Sequence, residues 1–249
     1  MMNVTPVVKQ LLIINIIFFI GAQLVPVSYE YLALFFPENP GFKVWQPITH
    51  MFMHGSFAHI AFNMFALYSF GSTLEHFWGA KKFLFFYISC GLGAALVNFA
   101  VNYYFYQDAM NILMANGFSK TQILQVIDQG KIITSWNDLL TPSQIKHLFD
   151  AYFGSVVGAS GAIYGLLIAF TFMFPNEELG IMFIPIPIKA KYFVPIYMIL
   201  FDGLFGIFGN SLIGIDSGIA HYAHIGGALF GFLIMWYWKK NQFNNNRWN

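Results

Sequence analysis

Apolar residues in this chain gather in long unbroken runs and do not alternate with polar ones. Six stretches, 11–27, 57–74, 83–106, 156–174, 192–208 and 219–238, are apolar almost throughout. Each approaches or exceeds the length a helix needs to cross a hydrocarbon layer about 30 Å thick, which takes about 17–25 residues. Inside a bilayer the backbone must satisfy its own hydrogen bonds, so such runs are expected to be helical. The pattern predicts an all-α polytopic membrane protein, a six-transmembrane-helix bundle forming one membrane domain over residues 1–249. A shorter run, 180–188, carries Pro185 and Pro187 and reads as a turn or short extended loop. Lys9 precedes the first run, as in a signal peptide. No small-x-small cleavage pattern appears before Pro26, and the run reads as a retained anchor.

Two polar interruptions change this picture. The segment 28–49 is rich in rings (Tyr29, Tyr31, Phe35, Phe36, Phe42, Trp45) and broken by Pro37 and Pro40. Such rings suit the membrane interface, where one edge is apolar and the other wet. The segment 107–153 carries two helix-start signals. Ser119 followed by Gln122, and Thr141 followed by Gln144, each fit a capping box, the second with Pro142 at the first helical position. Two or three short amphipathic helices are expected there, as an outward-facing helical insertion. It serves either packing and solubility or, on a sharper reading, as a lid or partner-binding element.

Composition narrows the class. The chain is 57% hydrophobic and 9% charged, against about 25% charged in ordinary globular domains. A net charge of +1 leaves no footprint for nucleic acid. The single cysteine, Cys90, rules out a disulfide framework and reads as a small packing residue. Basic residues set the expected orientation. With a cytoplasmic N-terminus, Lys9, Lys81, Lys82, Lys189, Lys191, Lys239, Lys240 and Arg247, eight of the twelve, lie inside. Both termini are then cytoplasmic, and a bacterial inner membrane is the expected location. Ser160 and His224 both begin helices that start from the outer side.

The candidate chemistry lies in those two helix starts. A serine hydroxyl is a weak nucleophile and needs a base and donors for the developing oxyanion. Gly158 and Gly161 beside Ser160 let backbone approach a substrate, and the helix start leaves the Ser160 N–H free. Taken alone, that motif is most often helix packing. His59 and Asn63, four apart, share one face of the second run and can each donate to an oxyanion. The bland alternative for them is interhelical hydrogen bonding. Gly161, Gly165 and Ala169 form one stripe of small residues, and Ala223, Gly227 and Gly231 another. If these stripes face each other, Ser160 and His224 come within hydrogen-bond reach, and Tyr164 is placed to stack on the imidazole. No carboxylate lies near His224 within its own run, which predicts a dyad. Asp202 and Asp216 are the nearest acids, and a bridging role for either stays open.

These segments resemble the rhomboid intramembrane serine proteases. Trp45 to His50, His54, His59 and Asn63 match the family's first-loop and second-helix motif. Gly158-Ala159-Ser160-Gly161 through Tyr164 match its nucleophile motif, and Ala223-His224-Ile225-Gly226-Gly227 its base motif. The likeness covers about residues 8–238. It implies Ser160 as nucleophile, His224 as general base, and His59, Asn63 and the Ser160 N–H as oxyanion hole, without metal or other cofactor. It further implies a structural role for Glu75 and a loop-steadying role for His54. Partners would be the lipid bilayer and transmembrane protein substrates, cut at small residues near helix-weakening ones. Pro195, Gly203 and Gly206 would make the fifth run a movable gate. Two departures stand out: Gln46 where the family often has arginine, which alters the loop's usual hydrogen bonding, and the long 107–153 insertion.

Other classes compete. His50 with His54, and His221 with His224, have helical spacings used in the metal boxes of membrane oxygenases, although His76 and His147 sit elsewhere. An inactive rhomboid-like chaperone or adaptor would bind transmembrane helices without cutting them. A transporter would show paired repeats or several intramembrane acids. The oligomeric state is not legible.

Overall fold

The computed structural model describes residues 3–181, 184–200, 202 and 220–242. Helix α1 (Pro6–Leu24) opens with proline at its first position, where a missing N–H costs nothing. Its Thr5 side chain makes no local cap. The cap comes from far along the chain: Glu75 accepts from Val7 N at 2.9 Å, Val8 N at 2.8 Å and the Thr5 hydroxyl. An acid at a helix N-terminus meets both the free N–H groups and the positive end of the dipole.

Helix α2 runs Phe57–Ala66, passes through a π turn at Leu67–Gly71 and resumes as Ser72–Trp78. The Ser56 side chain caps its start by accepting from His59 N. Gly79, at φ 77°, reverses the chain into α3 (Ala80–Ala115), a backbone conformation that glycine adopts without steric cost. At 36 residues α3 is about 54 Å long, well beyond a hydrocarbon layer of about 30 Å. It carries on through 107–115 because Ala109, Met110 and Leu113 keep a buried apolar face there.

That surplus length supports the insertion. Helices α4 (Lys120–Asp128), α5 (Trp136–Leu139) and α6 (Pro142–Phe153) follow, and both expected capping boxes are formed. Ile123, Ile127, Trp136, Leu148 and Tyr152 close over Tyr106, Met110 and Leu113 of α3 as a separate core, which Phe36 of the first loop also enters. Strand β1 (Leu34–Phe35) pairs antiparallel with β2 (Ser155–Val156). Helix α7 (Ser160–Met173) begins four residues later than the apolar run does, because 155–156 is spent in that ladder.

The run read as a turn or extended loop folds as a hairpin, β3 (Glu178–Ile181) with β4 (Ile184–Lys189). Its prolines sit in a two-stranded sheet, where an edge tolerates the missing donors. Helix α8 (Ala190–Tyr197) contains Pro195 and continues as a looser turn to Leu200. Helix α9 (His221–Gln242) follows. Gly203, Gly206, Asp216 and Arg247 lie outside the described residues.

Helices α3, α7 and α9 pack most closely on one another. A methyl group on Gly227 would overlap the carbonyl oxygen of Gly161, and one on Gly231 would stand 2.7 Å from Gly165 Cα. The two small-residue stripes therefore do face each other, backbone against backbone. Outside this core, Ile17, Leu24, Phe62, Phe65, Phe85 and Trp236 are exposed. Apolar surface on that scale suits lipid rather than water. Helices α1 and α3 are long and apolar enough to cross a membrane, and α7 is a shorter apolar helix. The architecture is that of a helical membrane protein.

Candidate active site

Ser160 is the first residue of α7 and His224 lies in the first turn of α9. Side by side through their glycine stripes, the helices bring Ser160 Oγ to 2.8 Å from His224 Nε2. Tyr164, one turn into α7, stacks on the His224 ring at 4.2 Å between centroids and 15° between planes. The imidazole is thus held on its face and at its edge.

Its other nitrogen is engaged as well. His224 Nδ1 lies 2.7 Å from Asp202 Oδ1, and His221 Nδ1 lies 2.8 Å from the same oxygen. Asp202 is 1% exposed. A carboxylate only accepts, so each imidazole presents an N–H at Nδ1, leaving His224 Nε2 to accept from the Ser160 hydroxyl. The acid comes from outside the helix that carries His224. The available signal was an ionisable residue inside an apolar run, which marks function by default.

Around the serine, backbone and α2 side chains converge. Gly158 has φ 121°, and a methyl group there would stand 2.7 Å from His59 Nε2 and 3.6 Å from Asn63 Nδ2. Only glycine allows both the backbone angle and this approach. Asn63 is buried, and its Nδ2 has no hydrogen-bond partner among the described residues. The Ser160 N–H lies in the first turn of α7, where the helix supplies no acceptor. His59 and Asn63 thus face the glycine two residues before the serine.

The first loop holds that region from outside. Gly158 N donates to His50 O at 2.9 Å, and His50 Nδ1 lies 2.9 Å from Gln46 O. Gln46 is fully buried. Its Oε1 accepts from Lys43 N at 3.1 Å and Phe35 N at 3.3 Å, while Nε2 donates to Gly41 O at 3.0 Å. Gln46 is therefore the hub of the loop, its one amide tying together backbone groups of Phe35, Gly41 and Lys43. His54 is buried, its ring set edge-on to that of His59 with 5.0 Å between centroids, and its carbonyl accepts from the Tyr29 hydroxyl. Burial pushes the imidazoles of both His50 and His54 down to about 4.

Ser160, His224, Tyr164, His59, Asn63, Gly158, Gly161 and Gly227 thus meet at one place, with His54 beside them. Glu75 stands apart, at the far end of α2. Among the described residues, Asp202, His221 and His224 could together hold a metal ion, their ligand atoms lying within 4.8 Å of one another. His50 and His54 are not part of that group.

Fold and site together define a helical membrane protein in which a serine and a histidine from two helices share a hydrogen bond. The rhomboid domain family model matches residues 41–123 and 136–241, and the chain belongs to the rhomboid family. It is 30% identical to rhomboid protease AarA of Providencia stuartii over 76% of this chain and 54% of that protein. It is 25% identical to the human mitochondrial presenilin-associated rhomboid-like protein, over 86% and 42% of the two chains. Against the mitochondrial rhomboid protein 1 of Saccharomyces cerevisiae the figures are 24%, 78% and 41%. The chain spans about half the length of these relatives or somewhat less. They come from a bacterium and from mitochondria, so the likeness assigns a membrane without singling out the bacterial one expected from composition.

Proposed function

We propose that this chain is an intramembrane serine endopeptidase that hydrolyses peptide bonds in or near transmembrane helices. The observation that carries the reading is the 2.8 Å contact between Ser160 Oγ and His224 Nε2, with His59 and Asn63 of α2 facing Gly158 two residues away. In the first step the Ser160 proton moves to His224 Nε2 while Oγ bonds to the scissile carbonyl carbon. The carbonyl π pair moves onto its oxygen, where the Ser160 N–H, Asn63 Nδ2 and the His59 ring take the charge. His224 then returns the proton to the leaving amide nitrogen, freeing an amine and an acyl-serine. Water, deprotonated by the same imidazole, releases the acid and restores the serine.

In this reading the chain crosses the membrane six times with both ends on one side. The site opens on the opposite face, and the 107–153 insertion stands near its mouth. A helical substrate must unwind locally before attack, since its peptide bonds are shielded by their own hydrogen bonds. That favours substrates with small residues at the cut and helix breakers nearby. Labelling with a fluorophosphonate tests the reading. Wild type is expected to react, and Ser160→Ala and His224→Ala are expected not to. Equal labelling of all three overturns the Ser160–His224 pair, and no labelling of wild type overturns the reading in favour of a helix-binding adaptor without proteolytic activity.

A further inference from the structure

We infer that Asp202 is a positioning residue for His224, extending the serine–histidine pair into a three-member chain, with His221 as the clamp that fixes the carboxylate. The inference rests on the serine-protease reading above and deepens it. One carboxylate oxygen lies 2.7 Å from His224 Nδ1 and 2.8 Å from His221 Nδ1. The side chains of the two histidines are 12% and 11% exposed, that of Asp202 2%. A carboxylate so far from water is costly unless its oxygens are engaged. Here the N–H groups of two imidazoles meet one of them. That sharing has a geometric consequence. With His221 holding Oδ1 from the side, the oxygen cannot swing away from His224, although the backbone at 202 belongs to another segment.

The chemistry follows from which proton moves. The Nδ1–H of His224 stays on the ring throughout, donated to Asp202. The Ser160 proton arrives at Nε2, and the imidazole becomes an imidazolium only while the tetrahedral intermediate lives. A carboxylate at Nδ1 then does two things. It excludes the tautomer that carries its proton at Nε2, which could not accept from serine. It also stabilises the transient positive charge in a site shielded from water, without itself taking the proton. Tyr164, stacked on the ring, limits rotation about the one remaining axis. His221 meets the same oxygen that His224 does, so its effect is read through Asp202.

A purely structural account is available: the carboxylate pins the segment after α8 to α9. The two accounts differ in what substitution does to turnover. The experiment uses the full chain in liposomes with a fluorogenic transmembrane peptide substrate, comparing wild type, Asp202→Asn, Asp202→Glu, His221→Gln and Ser160→Ala. Asp202→Asn keeps the shape and loses the charge. It is expected to lower kcat by about 10²–10⁴-fold, by analogy with removal of the acid from other serine–histidine–acid sites, with KM little changed. Asp202→Glu should recover part of kcat, and His221→Gln should fall between Asn and wild type. Fluorophosphonate labelling rates should follow the same order. Wild-type kcat in Asp202→Asn, with Ser160→Ala inactive, overturns the inference and leaves the dyad standing. Loss of activity matched by loss of folded protein, with no recovery in Asp202→Glu, overturns it in favour of the structural pin. Equal activity in wild type and Ser160→Ala overturns the serine reading itself, whatever Asp202 does.

Discussion

The membrane core and the 107–153 insertion solve the same problem, holding helices together, with opposite materials. Where α7 meets α9 the contact is glycine on glycine, with no side chain between the backbones at Gly161 and Gly227. In the insertion the work falls to bulk and to polar ends. Trp136 and Tyr152 fill the centre, two capping boxes start the helices, and Lys120 pairs with Glu38 at 2.7 Å. Lipid gives apolar side chains little reason to leave it, so close packing must bring membrane helices together. The insertion's helices are amphipathic, and their apolar faces close over one another. The difference teaches where precision resides. A bulky core tolerates adjustment, whereas a backbone contact sets a distance, and the serine–histidine distance is set by the second kind.

This contrast can be broken at graded points. Gly227→Val should have the largest effect, because the added carbon atoms fall on the Gly161 carbonyl and neither backbone can yield. Fluorophosphonate labelling is expected to vanish, and labelling at the wild-type rate would refute backbone contact as the determinant. Trp136→Ala comes next. Removing a buried indole should destabilise the insertion by about 3–5 kcal/mol, seen as faster hydrogen exchange over 116–153. Labelling of Ser160 should stay close to wild type, and its loss would show the two regions to be one unit.

The loop between them gives a third test. Burial holds His50 and His54 at about 4, below the ordinary 6.5. Between those values the unfolded loop takes up protons that the folded loop refuses. Stability is therefore full above pH 6.5 and falls as pH drops towards 4, on the order of a few kcal/mol in all. Thermal midpoints from pH 7.5 to 4.5 check this, and His50→Gln should flatten the decline; a midpoint independent of pH would refute it. The smallest effect is Thr141→Ala, which removes a cap from α6 and should cost about 1 kcal/mol, measurable as exchange at the start of that helix alone.

Much of this was legible in the order of residues. The stripes containing Gly161 and Gly227 predicted the meeting of Ser160 and His224, because small residues at four-residue spacing have one use in a membrane helix. Ser119 and Thr141 announced their capping boxes, since a cap is a local bond between residues three apart. What escaped was non-local or too short for periodicity. Asp202 stands out as an acid inside an apolar run, but it reaches His224 from another segment, and helical spacing leaves its partner open. The β1–β2 ladder is two residues long on each side, too brief to show alternation. Gln46 reads in the sequence only as a departure from the motif it resembles. Its hub role depends on turns that fold Phe35, Gly41 and Lys43 around one amide.

Glu75 bears on how the chain is made. Helix α1 is synthesised first, yet the partner for the N–H groups of Val7 and Val8 lies at the far end of α2. Until the ribosome has delivered that second helix, the start of the first must rely on water or on lipid headgroups. Insertion and capping are thus separate events in time. The start of that helix is finished only by a carboxylate that arrives later.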